Sequence, residues 1–199
     1  MARAREQMDF RLPPILKKLK RGPQVLLPKD LGMIIAYGGM SKESIVVDAG
    51  AGSGFATVFF GSIAKKVISF EERKEFAEFA AKNIKRSGFD NIELREKSIF
   101  EGFNETADII NLDLPNPERI FTIDFSLSND GVIIAYSPHT EQVTSFVKAA
   151  REKGYECFTV EAIVREILSR EAGTRPQTKG LTHTGYITFA RKSVSKEQK

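Results

Sequence analysis

The residues best placed to do chemistry are a glycine-rich loop and two carboxylates, each at the end of an apolar run. The loop Gly50-Ala51-Gly52-Ser53-Gly54 follows the apolar run 44–49, Glu71 ends a second run, and Asp113 follows a third. Glycine permits a tight turn and a close backbone approach to a ligand. A carboxylate after the second strand of such a unit can accept hydrogen bonds from ribose hydroxyls. The pattern therefore predicts a site for a nucleoside-containing cofactor.

The spacing of the glycines distinguishes between cofactors. A dinucleotide fingerprint needs a small residue three positions after the second glycine, but Phe55 stands there and is too bulky for close contact between helix and strand. No Gly-Lys-Ser/Thr follows, which excludes a phosphate loop. The observed order suits a ligand with a methionine moiety and no pyrophosphate. We predict S-adenosylmethionine, bound by Gly50, Ala51, Gly52, Ser53, Gly54 and Glu71. The alternative is that the glycines serve only a strand–helix turn.

A parallel sheet is needed to bring these residues together, because ligands of open α/β sheets bind beyond the carboxyl ends of the strands. Strand-like runs occupy 44–49, 66–71, 91–95, 107–112, 131–136, 155–161 and 183–190. Helical patterns follow the loop to about 64 and cover 72–86, 117–127 and 140–153. The last two strands lack a convincing helix between them, so the final strand is expected to be antiparallel. By analogy of fold, we predict an α/β, Rossmann-like class I methyltransferase with a seven-stranded, mostly parallel sheet.

Composition is that of a globular domain: 199 residues, of which 41% are hydrophobic and 28% charged. No apolar run approaches the roughly 20 residues of a membrane-spanning helix, and the basic N-terminus has no hydrophobic signal core. Cys157 is the only cysteine, which excludes an internal disulfide. No His, Cys and carboxylate cluster has the spacing of metal ligands, so no metal is predicted. We expect a cytoplasmic protein with no membrane contact.

Positive charge is concentrated in two places. The segment 11–21 has five cations and no acid, and Arg170, Arg175 and Lys179 lie near the C-terminus. Such stretches indicate contacts with nucleic acid phosphates, or alternatively a solvated surface. Proline and glycine punctuation predicts a basic leader over 1–22, a methyltransferase domain over 23–192 and a disordered tail over 193–199.

Several stretches resemble the tRNA adenine-N1 methyltransferases that modify position 58 in the T-loop. The similarity extends from about Lys20 to Arg191. The matching stretches are 21–30 (RGPQVLLPKD), 47–54 (VDAGAGSG), 69–71 (SFE), 112–115 (LDLP), and Arg175-Pro176 with 183–186 (HTGY). The glycine loop is generic to methyltransferases, whereas the first and last stretches are more discriminating.

The resemblance implies roles for particular residues. Asp113 would be the catalytic residue and would also lie against the cofactor, whose adenine ring Ser98 would hold. Gln24, Arg175 and His183 would contact the substrate. A homo-oligomer, commonly a tetramer, is also implied. Family members usually carry a small N-terminal β domain, in whose place this chain has about twenty residues, so a separate RNA-binding partner is a further expectation.

Methylation of adenine N1 suits this arrangement. The N1 lone pair lies in the plane of the base and can attack the methyl group directly, and the positive charge that develops makes the exocyclic amine more acidic. Asp113 would accept a hydrogen bond from that amine or take its proton. The target base would be extruded from the folded tRNA. Two alternatives stay open: methylation of a protein or small molecule, and a non-catalytic RNA-binding subunit that needs a partner chain.

Overall fold

A computed structural model describes residues 12–22, 25–178, 180 and 183–192. Its main sheet consists of β1 (Ile45–Ala49), β2 (Lys66–Phe70), β3 (Ile92–Arg95), β4 (Thr106–Leu112), β5 (Ser126–Ser137), β6 (Tyr155–Glu161) and β9 (Tyr186–Lys192). A separate hairpin consists of β7 (Ile167–Arg170) and β8 (Gly173–Pro176). The helices are α1 (Pro14–Lys17), α2 (Pro28–Gly38), α3 (Phe55–Gly61), α4 (Lys74–Ser87) and α5 (Thr140–Glu152), with 3-10 helices at Ile99–Glu101 and Pro117–Thr122.

The predicted sheet is confirmed. Its seven strands lie in the order β3-β2-β1-β4-β5-β9-β6, and β9 is antiparallel to both of its neighbours. The strand order reverses at β1, which lies between β2 and β4 and is parallel to both. Ala49 pairs with Phe70 on one side and Leu112 on the other. The chain that leaves each of these three strands therefore emerges at one edge, where ligands bind in open α/β sheets.

Two apolar layers cover the sheet, because successive side chains of a strand point to opposite faces. Val46 and Ile109 pack with buried residues of α2 and α3 on one face, and part of α4 packs there too. Val47 and Ile110 pack with Phe146 of α5 on the other face. The layers hold α4 and α5 on opposite sides of the sheet.

The described part of the predicted leader packs against the domain. Leu16 and Leu19 are buried in the same core layer as α2 and α3. Residues 12–22 are thus structurally continuous with the methyltransferase fold. Residues 1–11 and the predicted tail at 193–199 lie outside the described residues, and the domain limits stay predictions.

Several local structures differ from expectation, and among them α1 and α2 were not predicted. The predicted helix over 117–127 is wrong: a 3-10 helix ends at Thr122, and β5 already begins at Ser126. Pairing of Ser126 and Leu127 with the start of β4 outweighs the local helical pattern. The charged stretch between β6 and β9 contains the hairpin β7–β8, which the sequence pattern did not predict.

Among the described residues, no helix is long and apolar enough to cross a membrane.

Candidate active site

The glycine loop turns tightly at the carboxyl ends of β1 and β2. The backbone N–H groups of Gly50 and Ala51 donate to the carbonyl oxygen of Phe70 at 3.0 and 3.1 Å. Gly50, Gly52 and Gly54 have φ values of +88°, +53° and +78°, a region that glycine enters without steric cost. A Cβ atom on Gly50 would also overlap the carbonyl oxygen of Asp113. Both the turn and its packing therefore require glycine.

Glu71 is held directly against this loop. Only 3% of the residue is exposed, and its Oε2 accepts a hydrogen bond from the N–H of Gly52 at 2.9 Å. Its Oε1 accepts hydrogen bonds from the backbone N–H and Nε–H of Arg73, each at 3.1 Å. An ionised carboxylate has about four acceptor sites, so Glu71 retains capacity for a ribose. The glycine cradle and this carboxylate fit the nucleoside part of S-adenosylmethionine.

Asp113 lies where the sequence predicted it, just beyond β4. Its backbone N–H donates to the carbonyl oxygen of Ala49 at 2.9 Å. The side chain is exposed at the edge of the sheet, although many protein atoms lie near its carboxyl group. This partial desolvation, with the negative charges of Asp48 and Glu71, raises the pKa of Asp113 to about 7. A carboxyl group that titrates near neutral pH can accept a proton during catalysis.

Asp48 organises the strands beneath the loop and was not identified from the sequence. It is buried, and it accepts hydrogen bonds from Thr57 (2.7 Å), Asn111 (2.8 Å) and Ser69 (3.1 Å). Burial raises the pKa of Asp48, while these three donors act in the opposite direction. The bonds connect β1 to α3, β4 and β2 around the start of the turn. The sequence feature that could have identified Asp48 is an acidic residue inside an otherwise apolar strand.

Asn83 of α4 was also missed, although it joins the loop to the N-terminal segment. Its Nδ2 donates to the carbonyl oxygens of Ser53 (2.7 Å) and Lys20 (2.8 Å). Its Oδ1 accepts from the N–H of Lys20 at 2.9 Å and from Arg86 Nη1 at 3.0 Å. The residue is fully buried. The sequence feature that could have identified Asn83 is its polar side chain beside Ala80 and Ile84 on the apolar face of a helix.

The structure does not test the predicted contacts of Ser98 and Gln24. Ser98 lies beyond β3 at the start of a 3-10 helix, where its N–H donates to Glu101 Oε1 at 3.1 Å. Its contact with the cofactor adenine stays a prediction. Gln24 lies outside the described residues. Within the parts of the chain described above, no group of three or more His, Cys, Asp or Glu residues could hold a metal.

His183 is anchored within the chain. Its Nδ1 lies 2.6 Å from Glu161 Oε1, and its Nε2 lies 3.0 Å from the carbonyl oxygen of Pro138. Both partners have acceptor oxygens, so the protonated imidazole, with two N–H donors, can satisfy both contacts. The hydrogen bond to Glu161, followed by that to Pro138, raises the pKa of His183. The predicted substrate contact of His183 is not tested by this geometry.

The stretch after His183 meets the start of α2. Lys29 Nζ donates to Thr184 Oγ1 at 2.6 Å and to Asp30 Oδ1 at 2.7 Å, and Thr184 Oγ1 donates to Asp30 Oδ2 at 3.0 Å. Tyr136 at the end of β5 donates its hydroxyl to the carbonyl oxygen of Thr184 at 2.6 Å. The two stretches that discriminated best in the sequence, 21–30 and 183–186, are therefore in direct contact beside the end of β5.

Arg175 lies in β8 of the exposed hairpin, where it pairs with Leu168 of β7. In the described ranges, no hydrogen bond or ion pair connects it to the glycine loop, and its substrate contact stays a prediction.

A cavity of about 510 Å³ lies far from the glycine loop, at the amino end of β5, where Leu127, Gly131 and Lys153 line it. Because it is at the opposite end of the sheet from Asp113, it is separate from the candidate active site.

Comparisons with known proteins identify the family of the chain. Residues 16–173 match the family described as "tRNA methyltransferase complex GCD14 subunit". The chain is 37% identical to the tRNA (adenine(57)-N(1)/adenine(58)-N(1))-methyltransferase TrmI of Methanocaldococcus jannaschii, over 89% of this chain and 74% of that protein.

Two solved structures share the fold. A SAM-dependent O-methyltransferase of Thermotoga maritima has a TM-score of 0.83 and 26% identity, over 94% of this chain and 74% of that one. The tRNA (m1A58) methyltransferase TrmI of Aquifex aeolicus also has a TM-score of 0.83, at 23% identity, over 92% of this chain and 77% of that one. The chain belongs to the family of tRNA methyltransferase complex GCD14 subunits.

Proposed function

We propose that this protein transfers a methyl group from S-adenosylmethionine to N1 of an adenine in the T-loop of tRNA. The observation that carries the proposal is the position of Asp113, whose backbone packs against Gly50 at the edge where Glu71 meets the glycine loop. Membership of a tRNA methyltransferase family supports the nucleic acid substrate, and the name of the Methanocaldococcus relative supports adenine N1 as the methylated atom.

Different residues of the chain have different roles in this reaction. Bound S-adenosylmethionine supplies an electrophilic methyl group, which the lone pair of adenine N1 can attack without prior deprotonation. Glu71 and the N–H groups of the loop position the cofactor, and alignment of the reacting atoms accounts for much of the acceleration. Asp113 accepts a hydrogen bond from the exocyclic amine, stabilises the developing positive charge and takes the amine proton. Its pKa of about 7 suits this exchange at neutral pH.

The remaining assignments rest on the family resemblance. Ser98 contacts the adenine of the cofactor, and Gln24, Arg175 and His183 contact the tRNA. The protein acts in the cytoplasm as a homo-oligomer, and a tetramer is our specific expectation. A separate RNA-binding chain is the alternative way to complete the tRNA surface.

The test is to incubate the protein with methyl-labelled S-adenosylmethionine and unmodified tRNA, and to digest the product to nucleosides. We expect labelled 1-methyladenosine from T-loop fragments. Label in another nucleoside, or in protein or small molecules with none in tRNA, would reject the proposal. Cofactor binding without turnover until another chain is added would instead indicate a subunit that depends on a partner.

A further inference from the structure

A group of exposed cations surrounds the junction between the N-terminal segment and α4. We call it the α1–α4 basic surface, and its members are Lys17, Lys18, Lys20, Arg21, Lys82, Lys85 and Arg86. Within the described ranges, none of these side chains forms an ion pair with a carboxylate. Seven like charges therefore lie on one region of the described structure without an ion pair to another described residue.

The packing of the two elements forces these side chains outward. Leu16 and Leu19 are buried, which turns the lysines between and beside them towards solvent. On α4, Ala80 and Asn83 are buried, so Lys82 and Lys85 occupy the opposite face, and Arg86 lies at its border, next to Asn83. Asn83 connects the two groups, because it binds the backbone of Lys20 on one side and the guanidinium of Arg86 on the other.

The same amide fixes this surface relative to the active site. Asn83 Nδ2 donates to the carbonyl oxygen of Ser53 in the glycine loop. A Cβ atom on Gly22 would lie 2.8 Å from the Cβ of Ser53, so the chain passes directly over the loop. A molecule bound to the cations is consequently held at a fixed distance from the place of methyl transfer.

We infer that the α1–α4 basic surface binds the phosphate backbone of the RNA substrate and orients it for methyl transfer. The inference rests on the proposed function and adds the docking surface to it. Exposed lysines and arginines spread over two elements suit a polyanion, because each neutralised phosphate releases counterions. A membrane would also attract these charges, but it would not need a rigid connection to the cofactor loop. Phosphate contacts carry no sequence information, so the surface contributes orientation and affinity.

The test compares two variants of the full chain, each with four cations removed. The first carries Lys17→Ala, Lys18→Ala, Lys82→Ala and Lys85→Ala, which spares Arg21 and the two residues that bind Asn83, Lys20 and Arg86. The control removes exposed cations from α5 and the end of β9, with Lys148→Ala, Arg151→Ala, Lys153→Ala and Lys192→Ala. Binding of unmodified tRNA is measured by fluorescence anisotropy over a range of salt concentrations. Calorimetry with S-adenosylmethionine and thermal unfolding check that each variant is folded.

We expect the first variant to bind tRNA at least about 30-fold more weakly and to lose about one unit of the logarithmic salt slope per phosphate contact removed. Its affinity for S-adenosylmethionine should stay within about twofold of the wild type, a difference of about 0.4 kcal/mol. The control should bind tRNA with an unchanged salt slope.

Equal tRNA binding by the first variant and the wild type would overturn the inference, and so would an equal loss in the control. Binding of the wild type to vesicles of phosphatidylglycerol and phosphatidylcholine, without binding to tRNA, would overturn it in favour of a membrane. A separate measurement tests the proposed function itself: if the wild type forms no labelled 1-methyladenosine, the proposed function is wrong. If the wild type methylates tRNA while the first variant retains tRNA affinity, only the docking surface is wrong.

Discussion

Gly50 and Asp113 lie so close together that a Cβ atom on Gly50 would overlap the backbone carbonyl oxygen of Asp113. The contact joins the turn after β1 to the chain after β4, and the hydrogen bond from Asp113 N–H to the Ala49 carbonyl oxygen reinforces it. The glycine loop and the chain that carries Asp113 are therefore one packed unit. A change in the backbone of either should displace the other.

The first prediction concerns Gly50→Ala, with Gly88→Ala as its matched control. Both glycines have positive φ, +88° and +77°, but space around Gly88 is open. Gly88→Ala should lower the free energy of unfolding by about 1 kcal/mol, the cost of left-handed backbone alone. Gly50→Ala should cost on the order of 3 kcal/mol, because backbone overlap adds to that strain. Denaturant unfolding measures both.

Binding of S-adenosylmethionine separates the two glycine variants further. Gly50→Ala should abolish calorimetrically detectable binding, whereas Gly88→Ala should bind as the wild type does. Similar stability losses with intact cofactor binding in both variants would contradict the packing described for Gly50.

The second prediction is that methyl transfer rises with pH through about 7, because Asp113 must be ionised to accept a proton and its pKa is about 7. Asp113→Asn should lower the turnover rate by about 10²- to 10⁴-fold while retaining cofactor binding. Rates measured with saturating tRNA over pH 5.5–9 provide the profile. Asp130→Asn, an exposed acid away from the loop, should leave both rate and profile unchanged.

The same titration affects stability in a definite direction. The pKa of Asp113 is raised from its ordinary 3.8 to about 7, so the folded protein binds the proton more tightly than the unfolded chain does. The contribution of Asp113 to stability is therefore present at low pH and is lost as pH rises between these two values. Asp113→Asn should remove this component from the pH dependence of unfolding. An unchanged dependence would show that Asp113 titrates normally.

The third prediction assigns Asn83 a positioning role and uses Asn91→Ala as the control. Both amides donate to two backbone carbonyl oxygens, but those bound by Asn91 belong to Gly61 and Ala64, at the other end of α3. Each alanine variant should lose on the order of 3 kcal/mol of unfolding free energy. Only Asn83→Ala should also weaken S-adenosylmethionine binding, by about tenfold or about 1.4 kcal/mol. Equal cofactor affinity in the two variants would leave Asn83 with a purely structural role.

The fourth prediction is that His183 titrates above its ordinary pKa of 6.5, because Glu161 and the Pro138 carbonyl oxygen both accept from its ring. The stabilisation is fully present below pH 6.5 and is lost as pH rises through the raised value. Titration of the imidazole signals by NMR measures this pKa. Glu161→Gln should move it back towards 6.5, and His139, whose ring is exposed, serves as the internal comparison. A titration of His183 below 6.5 would disprove the arrangement.

The proximity of the glycine loop, Glu71 and Asp113 could be predicted from the sequence because each follows or ends a strand. The loop from Gly50 to Gly54 follows a strand directly, and Glu71 and Asp113 each end or follow a strand of the same parallel sheet. Carboxyl ends of neighbouring parallel strands share an edge, so positions along the chain imply proximity in space. The antiparallel last strand could be predicted for a similar reason, since no crossover helix precedes it.

Contacts between distant segments could not be predicted in this way. Asn83 is buried because the backbone of Lys20 and the carbonyl oxygen of Ser53 meet it there, and neither position is implied by the pattern of α4. The predicted helix over 117–127 failed for a related reason, because the pairing of Ser126 and Leu127 with β4 depends on a partner strand.

The amino-acid sequence by itself thus determined the seven strands of the main sheet, the glycine turn and the two carboxylates at strand ends, since backbone geometry links these features to short-range patterns. Tertiary structure alone decided the desolvation that raises the pKa of Asp113, the two contacts of the His183 ring and the junction between the N-terminal segment and α4. The physical reason is that hydrogen bonding, desolvation and Coulomb interactions depend on distances in space. Those distances are set only when the whole chain is packed.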